Sequence, residues 1–376
     1  MVGRRRHVNE KEKENVMNRL VSLALAVGLI LSVVISGAAI VFHGAPPSAQ
    51  VAVVSGSPAA SAALNTATTG AAAAAGPSVV KVESAHGLGS GVIIDSRGYI
   101  VTNYHVVFSG NAVRQPDAAY TVTLANGQAY QARIAGTDAP DDLAVLKISA
   151  PNLKALPFAD SNALRAGTLV MAMGNPLGYA QSVTLGIVST PKRTVVENGP
   201  AAFIPDMIQT SAPINPGNSG GALVDLNGHL VGIPTLAAAD PRLGTPAQGI
   251  GFAIPSNRVS YITQQIIASG KVVHSDRPYL GLSGMSDVTP AMAGQYGLAT
   301  DKGVLITGLA ADGPLARAGI RTGEVMVRLD GQPVTDTAAL GEVLARIKPN
   351  QQKSMTIVGA TGERTVSVAV GELPVG

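Results

Sequence analysis

Between residues 77 and 255 the chain repeats one rhythm, and that rhythm limits its fold more than any other feature. Short runs rich in valine, isoleucine and threonine fall at 78–83, 89–95, 99–102, 120–124, 130–136 and 143–148, then at 169–173, 182–189, 221–225, 229–234 and 249–254. Runs of this length are too short for ordinary helices, and β-branched residues suit a pleated, half-buried surface. Turn sequences separate them. Asp95-Ser96-Arg97-Gly98, Asn126-Gly127 and Asn227-Gly228 each fit a tight hairpin connection. The pattern predicts a mainly β domain with Greek-key or barrel connections, large enough for two small barrels. It closes on residues 258–268, where Val259, Ile262, Ile266 and Ile267 recur at helical spacing.

A second texture begins after Gly270. Strand-like runs at 279–282, 303–309, 325–329, 354–358 and 364–370 alternate with a short helix at 313–319 and an amphipathic helix at 337–347. Leu340, Val343, Leu344 and Ile347 share one face of the latter. Residues 278–372 therefore form a small α+β domain of their own. At the other end, residues 20–42 carry no charge and are long enough to span a bilayer as a helix. Six Lys or Arg precede them, and none follows until Lys81. That asymmetry predicts a cytoplasmic basic segment 1–19, a transmembrane helix 20–42, and a body outside the cytoplasm; a cleaved signal peptide is the alternative. Residues 43–76, dominated by Ala, Ser and Pro, read as a flexible linker.

Composition excludes several chemistries. With no cysteine there is no disulfide, no thiolate metal site and no cysteine nucleophile. No ligand cluster implies a metal, and no organic cofactor is expected. Tryptophan is absent, aromatics make up 3% and the body has no basic block, so no nucleic-acid partner is expected.

The stretch Asn215-Pro216-Gly217-Asn218-Ser219-Gly220-Gly221 sets a serine among glycines. Glycines permit a sharp turn, and such a turn can aim successive N–H groups at one point beside the hydroxyl. A serine nucleophile needs a base. Of six histidines, only His105 ends a strand-like apolar run, Ile100–Val107. An orienting carboxylate is available where Asp142 abuts Leu143-Ala144-Val145-Leu146. The order His105, Asp142, Ser219 is the chain order of chymotrypsin-type proteases, not of subtilisins or α/β-hydrolases.

With Thr102-Asn103-Tyr104-His105-Val106-Val107, Asp142–Lys147, Gly174-Asn175-Pro176, Ile214–Gly221 and Gly249–Pro255 in this order, residues 77–370 resemble the HtrA/Deg serine proteases. A single N-terminal anchor and one PDZ domain resemble the membrane-anchored bacterial members. The resemblance implies a chymotrypsin-like double β-barrel at 77–270 and a PDZ domain at 278–372. It implies a serine endopeptidase with the triad His105, Asp142 and Ser219, and an oxyanion hole at Gly217 and Ser219 with Asn218 between them. It places Ile233, Ile250 and Phe252 near an uncharged specificity pocket that takes a small or medium aliphatic residue. The loops at about 190–205, 212–218 and 234–249 are expected to switch the site on, with Lys192 or Arg193 sensing the PDZ domain. Tyr279-Leu280-Gly281-Leu282 matches the PDZ carboxylate-binding loop. Implied partners are unfolded or misfolded envelope proteins, C-terminal peptides and two further copies in a homotrimer. Ser211, Pro213 and Pro234 depart from residues common in relatives. A PDZ-based binding or holdase protein with little proteolysis is the alternative.

Overall fold

The structure, a computed structural model, describes residues 58–84, 87–108, 120–175, 182–196, 203–215, 217–239 and 246–375. The predicted cytoplasmic segment, transmembrane helix and first part of the linker lie outside these residues. Among the described residues no helix is long and apolar enough to cross a membrane.

Twelve strands close into two six-stranded antiparallel barrels. The first contains β1 (Val79–Glu83), β2 (Leu88–Asp95), β3 (Tyr99–Asn103), β4 (Tyr120–Thr123), β5 (Ala129–Asp138) and β6 (Leu143–Lys147), in the order β1-β2-β3-β6-β5-β4. The second contains β7 (Leu169–Gly174), β8 (Ser182–Val196), β9 (Phe203–Thr210), β10 (Ala222–Val224), β11 (Leu230–Ala239) and β12 (Pro246–Pro255), in the order β10-β11-β12-β9-β8-β7. Strand alternation explains why these runs are apolar on both faces. Val80, Ile100, Ala144 and Leu146 fill the first barrel, and Val170, Ala172 and Leu223 fill the second. Their neighbours Val79, Val101, Leu143, Val145, Met171, Met173, Ala222 and Val224 point the other way, into one shared layer. That shared layer locks the two barrels together.

Two helices complete the layer. Residues 58–75, expected as part of a flexible linker, instead form helix α1 (Pro58–Ala75). Its apolar stripe is only alanine, too small to register as an amphipathic face. Alanine is nevertheless the best intrinsic helix former, and Ala71 and Ala75 are small enough to pack directly into the shared layer, where both are buried. Helix α3 (Ser256–Ser269) follows the second barrel and contributes Val259, Ile262 and Ile266. Gly270, in the left-handed conformation, ends it. Between them, α2 (Tyr104–Val107) is a single helical turn after β3.

The C-terminal module has a sheet of order β14-β15-β16-β18-β19, formed by β14 (Leu282–Asp287), β15 (Val304–Leu309), β16 (Val325–Leu329), β18 (Gln352–Gly359) and β19 (Gly362–Ala369), with β17 (Gln332–Pro333) paired to β16. Its helices are α4 (Pro290–Tyr296), α5 (Pro314–Arg317) and α6 (Thr337–Leu344). A separate core holds it, including Leu282, Ile306, Met326, Leu340, Leu344 and Ile357. The strand β13 (Pro278–Tyr279) at its entrance pairs with β20 (Gly371–Glu372) at its exit. Residues 58–376 form one compact unit.

The segments expected as switch loops at 190–205 and 234–249 are largely strand. β8 runs to Val196 and β9 resumes at Phe203, while β11 continues through Ala239 and β12 begins at Pro246.

Candidate active site

β3 pairs with β6 as far as Asn103 opposite Leu143, and there the chain leaves the sheet. Three donors turn it. The Tyr104 amide and the Asn103 side-chain amide both donate to the Asp142 carbonyl at 3.0 Å, and the His105 amide donates to Asp142 Oδ1 at 3.0 Å. His105 therefore sits in the helical turn α2, not at the end of a strand as the apolar run suggested. Asp142 takes a left-handed φ of 51°, a region Asp and Asn enter more readily than most residues.

The imidazole and carboxylate meet directly. His105 Nδ1 lies 2.8 Å from Asp142 Oδ2 and 3.1 Å from Oδ1. A carboxylate only accepts, so Nδ1 carries the proton and Nε2 is the basic nitrogen. That hydrogen bond raises the His105 pKa above its ordinary value; burial opposes it and the carboxylate charge adds to it. The Thr235 hydroxyl donates to Asp142 Oδ2 from β11.

The serine turn is braced by both barrels. The Ser90 amide donates to the Ser219 carbonyl at 3.0 Å, and the Gly220 amide donates to the Pro234 carbonyl at 3.0 Å. Ser90 Oγ donates to the Gly217 carbonyl and accepts from the Asn175 amide at 2.7 Å. Asn218 shapes the turn from inside: its Oδ1 accepts from the Asn215 amide at 3.1 Å and its Nδ2 donates to the Pro213 carbonyl at 3.0 Å. The Asn218 amide is itself spent on the Asn215 carbonyl at 3.1 Å. The amides of Gly217 and Ser219 donate to no acceptor among the described residues. Gly220 has φ +77°, and a Cβ there would lie 2.4 Å from Thr102 Oγ1 and 2.5 Å from the Ser90 carbonyl oxygen. Only glycine fits so close to the strand that leads to His105.

One strand thus serves both halves of the site. Pro234 of β11 anchors the serine turn, and Thr235 beside it anchors the aspartate. Sequence reading missed Thr235 and Ser90, since a lone hydroxyl within an apolar strand carries no local signal. Thr235→Val is expected to lower kcat roughly 10- to 100-fold with KM little changed, because a hydrogen bond to a charged group contributes about 1.5–3 kcal/mol; steady-state kinetics on a short peptide checks this.

Of the three residues expected near the specificity pocket, two share one buried layer and the third is exposed. Ile233 has no exposed surface and belongs to the layer between the barrels, as a core residue. Phe252 is buried in the same layer, while Ile250 is exposed. In the C-terminal module Leu280 and Leu282 are buried and Gly281 has φ +80°. The carbonyls of Leu280 and Gly281 are spent on the amides of Leu315 and Ala310, at 3.1 and 2.8 Å. Arg193 donates to Gln209 within its own hairpin at 3.1 Å. The hairpin's contact with α6 comes instead from Thr194 and Phe203, against Gly341, where a Cβ would lie 2.7 Å and 3.0 Å from their nearest atoms.

Paired closed barrels, a His–Asp pair on the first and a glycine-flanked serine entering the second define the trypsin-like peptidase class. The family model described as a trypsin-like peptidase domain matches residues 89–233. A probable periplasmic serine endoprotease DegP-like of Brucella suis is 38% identical over 76% of this chain and 53% of its own length. The periplasmic serine endoprotease DegP of Salmonella typhimurium is 41% identical over 67% of this chain and 50% of its own. The solved structure of the HtrA-type protease AlgW with a decapeptide is 32% identical, superposes with a TM-score of 0.60, and is matched over 82% of this chain and 99% of that one. The chain belongs to the HtrA-type serine proteases. It spans about half the length of the curated relatives it matches.

Proposed function

We propose that the chain is a serine endopeptidase with His105, Asp142 and Ser219 as its triad. Ser219 Oγ attacks the scissile carbonyl while His105 Nε2 takes its proton and later gives it to the leaving amine. Asp142 keeps the proton on Nδ1 and stabilises the imidazolium. The developing oxyanion is met by the Gly217 and Ser219 amides. The observation that carries this reading is the 2.8 Å His105–Asp142 contact, braced by Thr235 on the strand that also anchors the serine turn. Residues 212–215 and 250–252 carry no charge, which favours a small or medium aliphatic residue before the cut.

The substrates are misfolded or unassembled proteins of the cell envelope. The protease works outside the cytoplasm, held by a single membrane span at 20–42; the relatives named above are periplasmic. Residues 278–372 are a PDZ domain that takes C-terminal peptides. β14 is an edge strand, so its outer side can pair with an added peptide strand. Helix α6 packs near it, with the Thr337 amide donating to Asp287 at 2.7 Å. The contact of Thr194 and Phe203 with Gly341 supports regulation through that helix. Val183, Leu185 and Ile187 form an exposed apolar stripe on β8, which suits packing against other copies in a homotrimer.

A fluorophosphonate probe tests the catalytic reading. It is expected to label Ser219 in the full chain and to block casein cleavage, with labelling lost in His105→Ala. Cleavage that persists after complete labelling of Ser219 would sink the assignment, while no labelling and no cleavage would leave the binding or holdase role.

A further inference from the structure

Arg277 is the last residue before β13, the first strand of the C-terminal module, yet its side chain is 5% exposed and lies against the turn that carries Asp142. Its Nη1 donates to the Pro140 carbonyl at 2.8 Å and to Asp141 Oδ1 at 3.3 Å. Its Nη2 donates to the Phe203 carbonyl at the start of β9. The Arg277 carbonyl accepts from the Leu373 amide at 2.8 Å, so its main chain is zipped to the segment that leaves the module. One residue therefore ties the module's entrance and exit, the β8–β9 hairpin and the β5–β6 turn to one another.

That turn needs holding. Asp142 sits in the left-handed region, and its amide closes the turn on the Ala139 carbonyl at 3.1 Å. The two residues before it are the ones Arg277 grips. Asp141 is also held by Arg258 of α3, whose Nε lies 3.0 Å from Oδ2. The facing groups are Asp138, Asp141, Arg258 and Arg277. Burial, with the Asp141 charge second, pushes the Asp138 carboxyl up to about 8. Asp141 is the carboxylate in contact with both guanidinium groups. A guanidinium can satisfy a carbonyl and a carboxylate on one side and a second carbonyl on the other. An ammonium lacks that planar fork.

We infer that Arg277 is a positioning residue, fixing the Asp142 turn in register with the docking of the C-terminal module. This rests on the protease reading above. The test uses the full chain with Arg277→Met and Arg277→Lys, measured for kcat, KM, melting temperature and the pH profile of kcat/KM on a fluorogenic peptide. Both variants are expected to lose about 10- to 100-fold in kcat, the scale of a small misplacement in a catalytic array, with KM within threefold of wild type. The acid limb is expected to move down toward the ordinary imidazole value, since the contact that raises the His105 pKa loosens; Asp142 is the charged group that faces that ring among the described residues. Lysine is not expected to rescue. If Arg277→Met does not fold, Arg277→Lys alone decides. A loss that only tracks the folded fraction, with the acid limb unmoved, assigns Arg277 to stability and overturns the inference. Cleavage by Ser219→Ala at the wild-type rate would overturn the protease reading instead, so the two failures are separable.

Discussion

Ser219→Ala is expected to lower kcat on casein by about 10⁶ while leaving the melting temperature unchanged. The size follows from how a triad works: its members act as one unit, so removing the nucleophile costs nearly as much as removing all three, on the order of 10⁶ in a well-studied unrelated protease. The unchanged stability follows from this protein's own contacts. Ser219 is tied into the fold through its carbonyl, which accepts from Ser90 at 3.0 Å, and through its neighbour Gly220, whose amide reaches Pro234 at 3.0 Å. An alanine keeps both. The amides of Gly217 and Ser219 also survive, so a residual rate of about 10³ over water is expected from the oxyanion hole and binding alone. Steady-state assays beside a thermal melt check the pair of results. A melt lowered by several degrees would mean that the hydroxyl holds the turn together, contrary to the contacts described.

What the sequence made legible was whatever is local. Gly217–Gly221 reads as a special turn because only glycine enters such backbone, and Gly220 proves to have no room for a Cβ. The strands of both barrels were visible because each needs only a few β-branched residues between turn signals. Long-range partners left no such trace. Thr235 matters because β11 passes the Asp142 carboxylate, a meeting across 93 positions of chain. Arg277 reads as an ordinary linker arginine until folding lays it on Pro140 and Asp141. Helix α1 failed for a different reason: its buried stripe is alanine, so hydropathy showed no face, and packing against the barrels decided the conformation. Ile233 was placed near the pocket by family resemblance alone, and the structure makes it a core residue of the layer between the barrels.

Asp142→Asn is expected to lower kcat at neutral pH by about 10⁴, and it separates electrostatics from shape more cleanly than any other substitution in the site. The backbone tolerates it, because asparagine also adopts the φ of 51° found there. The chemistry does not. An amide nitrogen facing Nδ1 is a donor, so the imidazole must present a lone pair to it and carry its proton on Nε2, where it cannot accept one from Ser219. The pKa of His105, raised chiefly by its hydrogen bond to Asp142, is expected to fall, moving the acid limb of the remaining activity to lower pH. Linkage fixes the sign of the stability change. A histidine whose folded pKa is raised contributes stability that is fully present below its unfolded value of about 6.5 and is lost as pH rises through the folded pKa. The variant should therefore melt below wild type by the largest margin near pH 5.5, and the margin should close toward pH 9. A gap that widened with pH would mean that Asp142 stabilises the fold through Thr235 and the turn, with the imidazole as a bystander.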